Sequence, residues 1–106
     1  MATSKAYLEY ISEQLSDLEG VTHRAMMGEY ILYYGGKIAA YICDDRLLVK
    51  PVPAAIAMLP NARYEPPYAG AKDMLLVENV DDRVFLKALF EAMADELPMP
   101  KKKKYK

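Results

Sequence analysis

Residues 30–50 read Tyr-Ile-Leu-Tyr-Tyr-Gly-Gly-Lys-Ile-Ala-Ala-Tyr-Ile-Cys-Asp-Asp-Arg-Leu-Leu-Val-Lys. The run 30–34 is aromatic and aliphatic, the composition that fills a pleated, half-buried surface. Gly35-Gly36 is a two-residue hairpin turn, because both positions take positive φ without steric cost. Residues 37–43 predict the returning strand, with Ile38, Ala40 and Ile42 on one face and Ala39, Tyr41 and Cys43 on the other. Asp44-Asp45 makes a second tight turn, where aspartate bonds its own backbone. Residues 46–50 form the next strand. With the short, mixed segment 22–27 before them, these residues specify a meander of three or four antiparallel strands.

Helices flank the meander. Leu8, Ile11, Leu15 and Leu18 recur at three- and four-residue intervals and predict a helix over 4–18, capped by Thr3 or Ser4 and ended by Gly20. Downstream, Pro51 and Pro53 stop the sheet. Pro53 suits the first turn of a short helix over 54–59, closed by Pro60. Residues 61–73 form a loop with two prolines and a glycine, part of which can pair as an edge strand. Residues 74–78 read as one more strand. Asp81 or Asp82 caps a last helix to about residue 97, with Leu86, Leu89, Phe90, Met93 and Leu97 on its apolar face. Strands in a run with helices at the ends argue an α+β fold. The expected architecture is two layers: an antiparallel sheet of about five strands with helices on one face, in the order α-β(3–4)-α-β(1–2)-α. The other sheet face is expected to be open.

Composition narrows the function classes. The chain has 106 residues, 53% of them hydrophobic, enough for one domain with its own core and too apolar for a disordered protein. One domain is expected over residues 1–97, followed by a basic, disordered tail over 98–106. No apolar run reaches the length of a membrane span and no secretory signal is evident, so a cytoplasmic protein without membrane contact is expected. A single cysteine excludes a disulfide scaffold. The net charge of −1 hides an asymmetry: Lys101, Lys102, Lys103, Lys104 and Lys106 crowd the end, and the remainder has nine basic against fifteen acidic residues. An acidic body is a poor phosphate-binding surface, so any nucleic-acid contact is expected through that lysine run alone.

Reactive groups are scarce. His23 and Cys43 supply two ligands at most, too few for a zinc site, so no metal is expected. Nothing near Cys43 marks it as a low-pKa nucleophile, and a buried structural thiol is the plainer reading. A Cys–His pair across neighbouring strands stays open at this level. There is no phosphate-binding glycine loop and no nucleotide, flavin or haem signature, so no cofactor is expected. Asp44-Asp45 and Asp81-Asp82 have plain roles as a turn and a helix start. No nucleophile, base and oxyanion-stabilising set is present, and the chain does not read as an enzyme. The unusual count is tyrosine, nine of 106 residues with no tryptophan. Tyrosine has an apolar body and a polar tip, which suits half-buried sheets and interfaces alike.

Arg24-Ala25-Met26-Met27-Gly28, then Tyr30 to Lys37, then Asp44-Asp45-Arg46-Leu47-Leu48-Val49-Lys50 resemble the N-terminal domain of the TfoX/Sxy family of competence regulators. Pro67-Tyr68, Gly70, Lys72 and Met74 are similar to a later stretch of that domain, and the resemblance spans roughly residues 7–96. Met27 stands where the family usually has phenylalanine, and Glu29 where small residues are common. Longer members carry a second, helical domain, for which no room is expected here. The resemblance implies a secretion-chaperone-like α+β fold and no catalysis. It also implies a link to transcription of DNA-uptake genes through a cyclic-AMP-receptor-type activator. The expected function is a non-enzymatic regulatory or adaptor module. It would contact a protein partner, such as a transcription activator, or a second copy of itself. Arg24, Met26, Met27, Tyr30, Tyr33, Tyr41 and Lys50 are the candidate interaction surface. The alternative is a nucleic-acid-binding accessory protein that uses the Lys101–Lys106 tail.

Overall fold

The structure, a computed structural model, describes residues 3–26 and 28–97. The tail lysines and Met27 lie outside the described residues. The chain runs α1 (Lys5–Gln14), β1 (Val21–Met26), β2 (Glu29–Tyr34), β3 (Lys37–Cys43), β4 (Arg46–Val49), α2 (Pro53–Met58), β5 (Tyr64–Glu65), β6 (Met74–Val77) and α3 (Arg83–Met93), then a 3₁₀ turn over Ala94–Glu96. The strands form one sheet in the order β1-β2-β3-β4-β6-β5, with every neighbouring pair antiparallel. It has six strands rather than about five, because the 22–27 segment and the tyrosine of the proline-rich loop both pair.

The two central turns form where expected. Gly35 and Gly36 have φ of 61° and 82°, and Asp44 and Asp45 have φ of 55° and 56°. Left-handed aspartates are tolerated because their polar groups find partners. Asp45 Oδ1 accepts from the Ser4 backbone N–H at 2.9 Å, and Glu29 Oε1 accepts from the Asp44 N–H at 3.0 Å. Glu29 also accepts from Thr3 Oγ1 at 2.6 Å. Its carboxylate thus ties the N-terminal segment to the β3–β4 turn, a task no small residue could perform.

One expectation about the faces needs correcting. Tyr33 pairs with Ile38 and Leu32 with Ala40, so the register shifts by one residue at Ala39. This β-bulge turns Ile38 to the side of Tyr33, away from Ala40 and Ile42. Ala39 and Ala40 are both fully buried, and only residues this small put two neighbours against one partner without overpacking.

The helices pack on one sheet face, as expected. Leu8, Ile11 and Leu15 meet Leu86, Leu89, Phe90 and Met93 above a floor of Leu32, Ala40, Ile42, Leu47, Val49, Leu75 and Val77. α1 is shorter than the predicted 4–18. Ser16 bonds back to the Glu13 carbonyl through both its N–H (3.1 Å) and its Oγ (2.8 Å), and that local competition ends the helix. Leu15 and Leu18 remain buried in the turn that follows. α3 likewise stops at Met93, where Lys37 Nζ donates to the Ala94 carbonyl at 3.1 Å and places a cation at the helix end. Glu96 Oε1 accepts from the Ala54 N–H at 2.7 Å, supplying the cap that Val52 cannot give α2.

Ser4 caps α1 through the Tyr7 N–H, and Asp82 caps α3 through the Phe85 N–H at 3.0 Å. Asp82→Ala leaves that donor unpaired and is expected to cost about 1 kcal/mol by urea unfolding, within a usual range of about 0.5–2. An unchanged midpoint would show that the cap carries no weight.

Candidate functional site

Strand alternation divides the tyrosines. Tyr30 and Tyr34 point to the helix side and pack on the main core. The Tyr34 ring stands edge-on to Phe90 at 6.2 Å, and the Tyr30 ring to His23 at 5.9 Å. Tyr33 and Tyr41 point to the opposite, outer side. Of the residues expected to share a contact surface, the structure therefore places Tyr30 with the helices. It places Arg24, Tyr33, Tyr41 and Lys50 on the outer side, with Met26 at the β1–β2 hairpin end.

The outer face is not uniformly open. Over β3, β4 and β6 a second, small core forms from Cys43, Leu48 and Met74, flanked by Tyr41 and Leu76. The loop 66–73 folds back over it. Pro67 is buried, and the Tyr68 ring lies 6.2 Å from that of Tyr41, tilted by 59°. Arg46 and Glu65 clamp one border, with Nη1 and Oε1 2.6 Å apart, and Arg46 Nε also donates to the Cys43 carbonyl at 3.2 Å. Among the described residues, no segment covers the β1–β2 half, where Thr22 and Arg24 are exposed and Tyr33 is half-buried.

Where the loop meets the sheet it leaves a cleft of about 270 Å³, lined chiefly by Tyr41, Lys50, Pro67, Tyr68, Lys72 and Met74. These residues come from three separate stretches of chain. Sequence reasoning found Tyr41 and Lys50 as candidates and missed Pro67, Tyr68 and Lys72, although the last three were part of the resemblance. Neither Lys50 nor Lys72 enters an ion pair among the described residues. Burial pushes the Tyr41 phenol above its ordinary value, with smaller contributions from Tyr68, Cys43 and Tyr33. It therefore stays a hydroxyl at neutral pH. The cleft combines aromatic walls with two ammonium groups, Lys50 and Lys72, and one carboxylate, Asp73, a setting that suits an apolar side chain with charged groups beside it.

The reactive groups do not converge. His23 is on the helix side of β1 and Cys43 on the outer side of β3, two strands apart. The thiol is buried, which pushes its pKa up to about 11. No group of three or more histidine, cysteine or carboxylate side chains fit for a metal ion exists among the described residues. No helix among them is long and apolar enough to cross a membrane.

Residues 13–97 match the family of the TfoX N-terminal domain. The chain belongs to that family. It is also 34% identical over 107 residues to a protein of Spirochaeta aurantia described as an uncharacterized 12.7 kDa protein in the trpE 5′ region, covering 100% of this chain and 93% of that one. No solved structure matches. For this TfoX N-terminal domain, two of the stretches that carried the resemblance prove to be neighbours in space. Lys50 ends one, and Pro67, Tyr68, Lys72 and Met74 make up another.

Proposed function

We propose that this TfoX N-terminal domain is a non-enzymatic regulatory adaptor that acts by protein–protein contact through its outer face. Its place is in the control of DNA-uptake genes, beside a transcription activator. The single observation that carries the reading is the cleft itself. Tyr41, Lys50, Pro67, Tyr68 and Lys72 converge from distant stretches, while the histidine and the cysteine lie apart on opposite faces. Family membership supports the regulatory role. Tyrosine in a partly desolvated pocket is among the residue types that dominate binding energies at interfaces.

The test is genetic and structural at once. Deletion of the gene in the host is expected to lower transcription of the DNA-uptake genes, and the wild-type chain to restore it. The double variant Lys50→Glu, Tyr68→Ala reverses the charge and removes an exposed ring. It is expected to lose at least about tenfold in partner affinity, or about 1.4 kcal/mol, with its melting temperature within a few degrees of wild type. A folded double variant that restores transcription fully would take the cleft out of the function.

A further inference from the structure

Among the described residues β1 is a free sheet edge, and its hydrogen-bonding pattern follows from one contact. The Gly35 N–H donates to the Gly20 carbonyl at 3.0 Å, just before the register Val21↔Tyr34 to Met26↔Glu29. Antiparallel ladders alternate, so Gly20, Thr22, Arg24 and Met26 turn their backbone groups toward β2. The N–H and C=O of Val21, His23 and Ala25 turn outward, and no described residue bonds them. Thr22 to Ala25 are exposed. Natural edges are usually blunted by proline, charged side chains, a bulge or shortness. β1 has only Arg24 of these over its six residues, whereas the opposite edge, β5, is only two residues long and is followed by Pro66 and Pro67.

The outward set is symmetric about His23. An antiparallel strand paired with its two-fold axis at His23 sets Val21 opposite Ala25 of a second copy and His23 opposite His23. Every outward group is then bonded. Moving the axis to Thr22 or Arg24 pushes one of these residues past the strand end, so only the His23 register satisfies all of them. The same register sets Arg24, the one residue of fixed charge in the strand, opposite a threonine rather than another arginine, so no like charges face each other directly. We infer that the occupant of this edge is a second copy of the chain, joined β1 to β1 about a two-fold axis at His23 into one continuous sheet. A self-complementary patch of this kind is what a two-fold dimer requires. The inference does not rest on the outer-face cleft, since β1 contributes nothing to that cleft.

The full chain tests it by sedimentation over a concentration series. Wild type is expected to show a reversible monomer–dimer equilibrium. His23→Pro removes an outward N–H and the edge-on ring contact with Tyr30 but leaves the ladder to β2 intact. It is expected to weaken dimerisation at least tenfold with little change in melting temperature. Register is read by cysteine cross-linking with wild type as the control, since Cys43 is buried. Oxidised His23→Cys is expected to form a covalent dimer, because bonded cross-strand Cα atoms lie about 5.5 Å apart, within disulfide reach. Arg24→Cys, staggered from its own copy by two residues, is expected not to. A wild-type monomer at millimolar concentration overturns the proposal, as does a His23→Pro variant that dimerises as tightly as wild type. So does more efficient cross-linking through Arg24→Cys. A dimer defect with normal partner binding would separate this edge from the proposed adaptor face, and the cleft variant should show the reverse.

Discussion

Phe90→Ala is expected to cost about 3–5 kcal/mol, the largest loss of any single substitution considered. Phe90 is fully buried and heads the largest side chains in the core. It lies in the last turn of α3, with Leu86, Leu89 and Met93 on the same stripe, and meets the Tyr34 ring edge-on at 6.2 Å. Truncation removes the transfer free energy of the ring and leaves a cavity whose walls come from both a helix and the sheet. Those walls cannot collapse together without moving backbone. Domains of this size have about 5–15 kcal/mol in total, so the variant loses a large share of its stability. Its melting temperature is expected to fall by about 15 °C or more. Val84, nearly two turns earlier on the same helix but 80% exposed, supplies the control. Val84→Ala should stay within about 0.5 kcal/mol. A loss below about 1 kcal/mol for Phe90→Ala would mean that α3 is not seated on the sheet as described.

What the sequence revealed and what it concealed follows the range of the forces involved. Gly35-Gly36 and Asp44-Asp45 announce their turns because positive φ is a local demand with few residue solutions. The α3 stripe was legible because period 3.6 is a local pattern, and Leu86, Leu89, Phe90, Met93 and Leu97 are all buried. The bulge at Ala39 was not legible. Two adjacent alanines fit either face, and the shift that reverses Ile38 is decided by the partner strand. The end of α1 was misplaced because Leu15 and Leu18 keep the helical spacing while the backbone has already turned at Ser16.

The candidate surface shows the same division. Alternation alone separates Tyr30 and Tyr34 from Tyr33 and Tyr41, but which pair meets the helices depends on where the helices dock. The return of Pro67 and Tyr68 over Tyr41 has no periodic signature, since a loop that folds back is held by contacts across more than twenty residues. The only sequence signal for it was that Pro67, Tyr68 and Lys72 belong to the same family pattern as Lys50. Glu29 behaves alike. A carboxylate in a strand beside a hairpin looks unremarkable until Thr3 and Asp44 arrive from both sides to bond it.

Unfolding stability is expected to be flat up to about pH 9 and then to fall steeply toward pH 11, and Cys43 is expected to carry much of the fall. Burial under the loop 66–73 pushes the thiol from an ordinary value near 9 up to about 11; the negative charges of Glu29 and Asp44 add to the shift and Arg46 opposes it. The sign follows from proton counting. Between these two values the unfolded chain has released the thiol proton and the folded chain still holds it. The folded state therefore binds more protons, and raising the pH favours unfolding by about 1.4 kcal/mol per unit, about 2–3 kcal/mol across the window. Below pH 9 both states hold the proton and the contribution is fully retained. Tyr7 and Tyr41 are also raised above their ordinary value, chiefly by burial, so their losses have the same sign but begin about one unit higher. Cys43→Ala separates the contributions. It lowers stability at every pH by removing a packed side chain, but it is expected to flatten the decline between pH 9 and 10 while leaving the tyrosine part above it. Urea midpoints measured from pH 7 to 11 decide the matter. Parallel curves for wild type and variant would show that the thiol ionises as freely in the folded protein as in the open chain. The small core beneath Tyr41 and Tyr68 would then admit water, and the cleft built on it would lose its rigid floor.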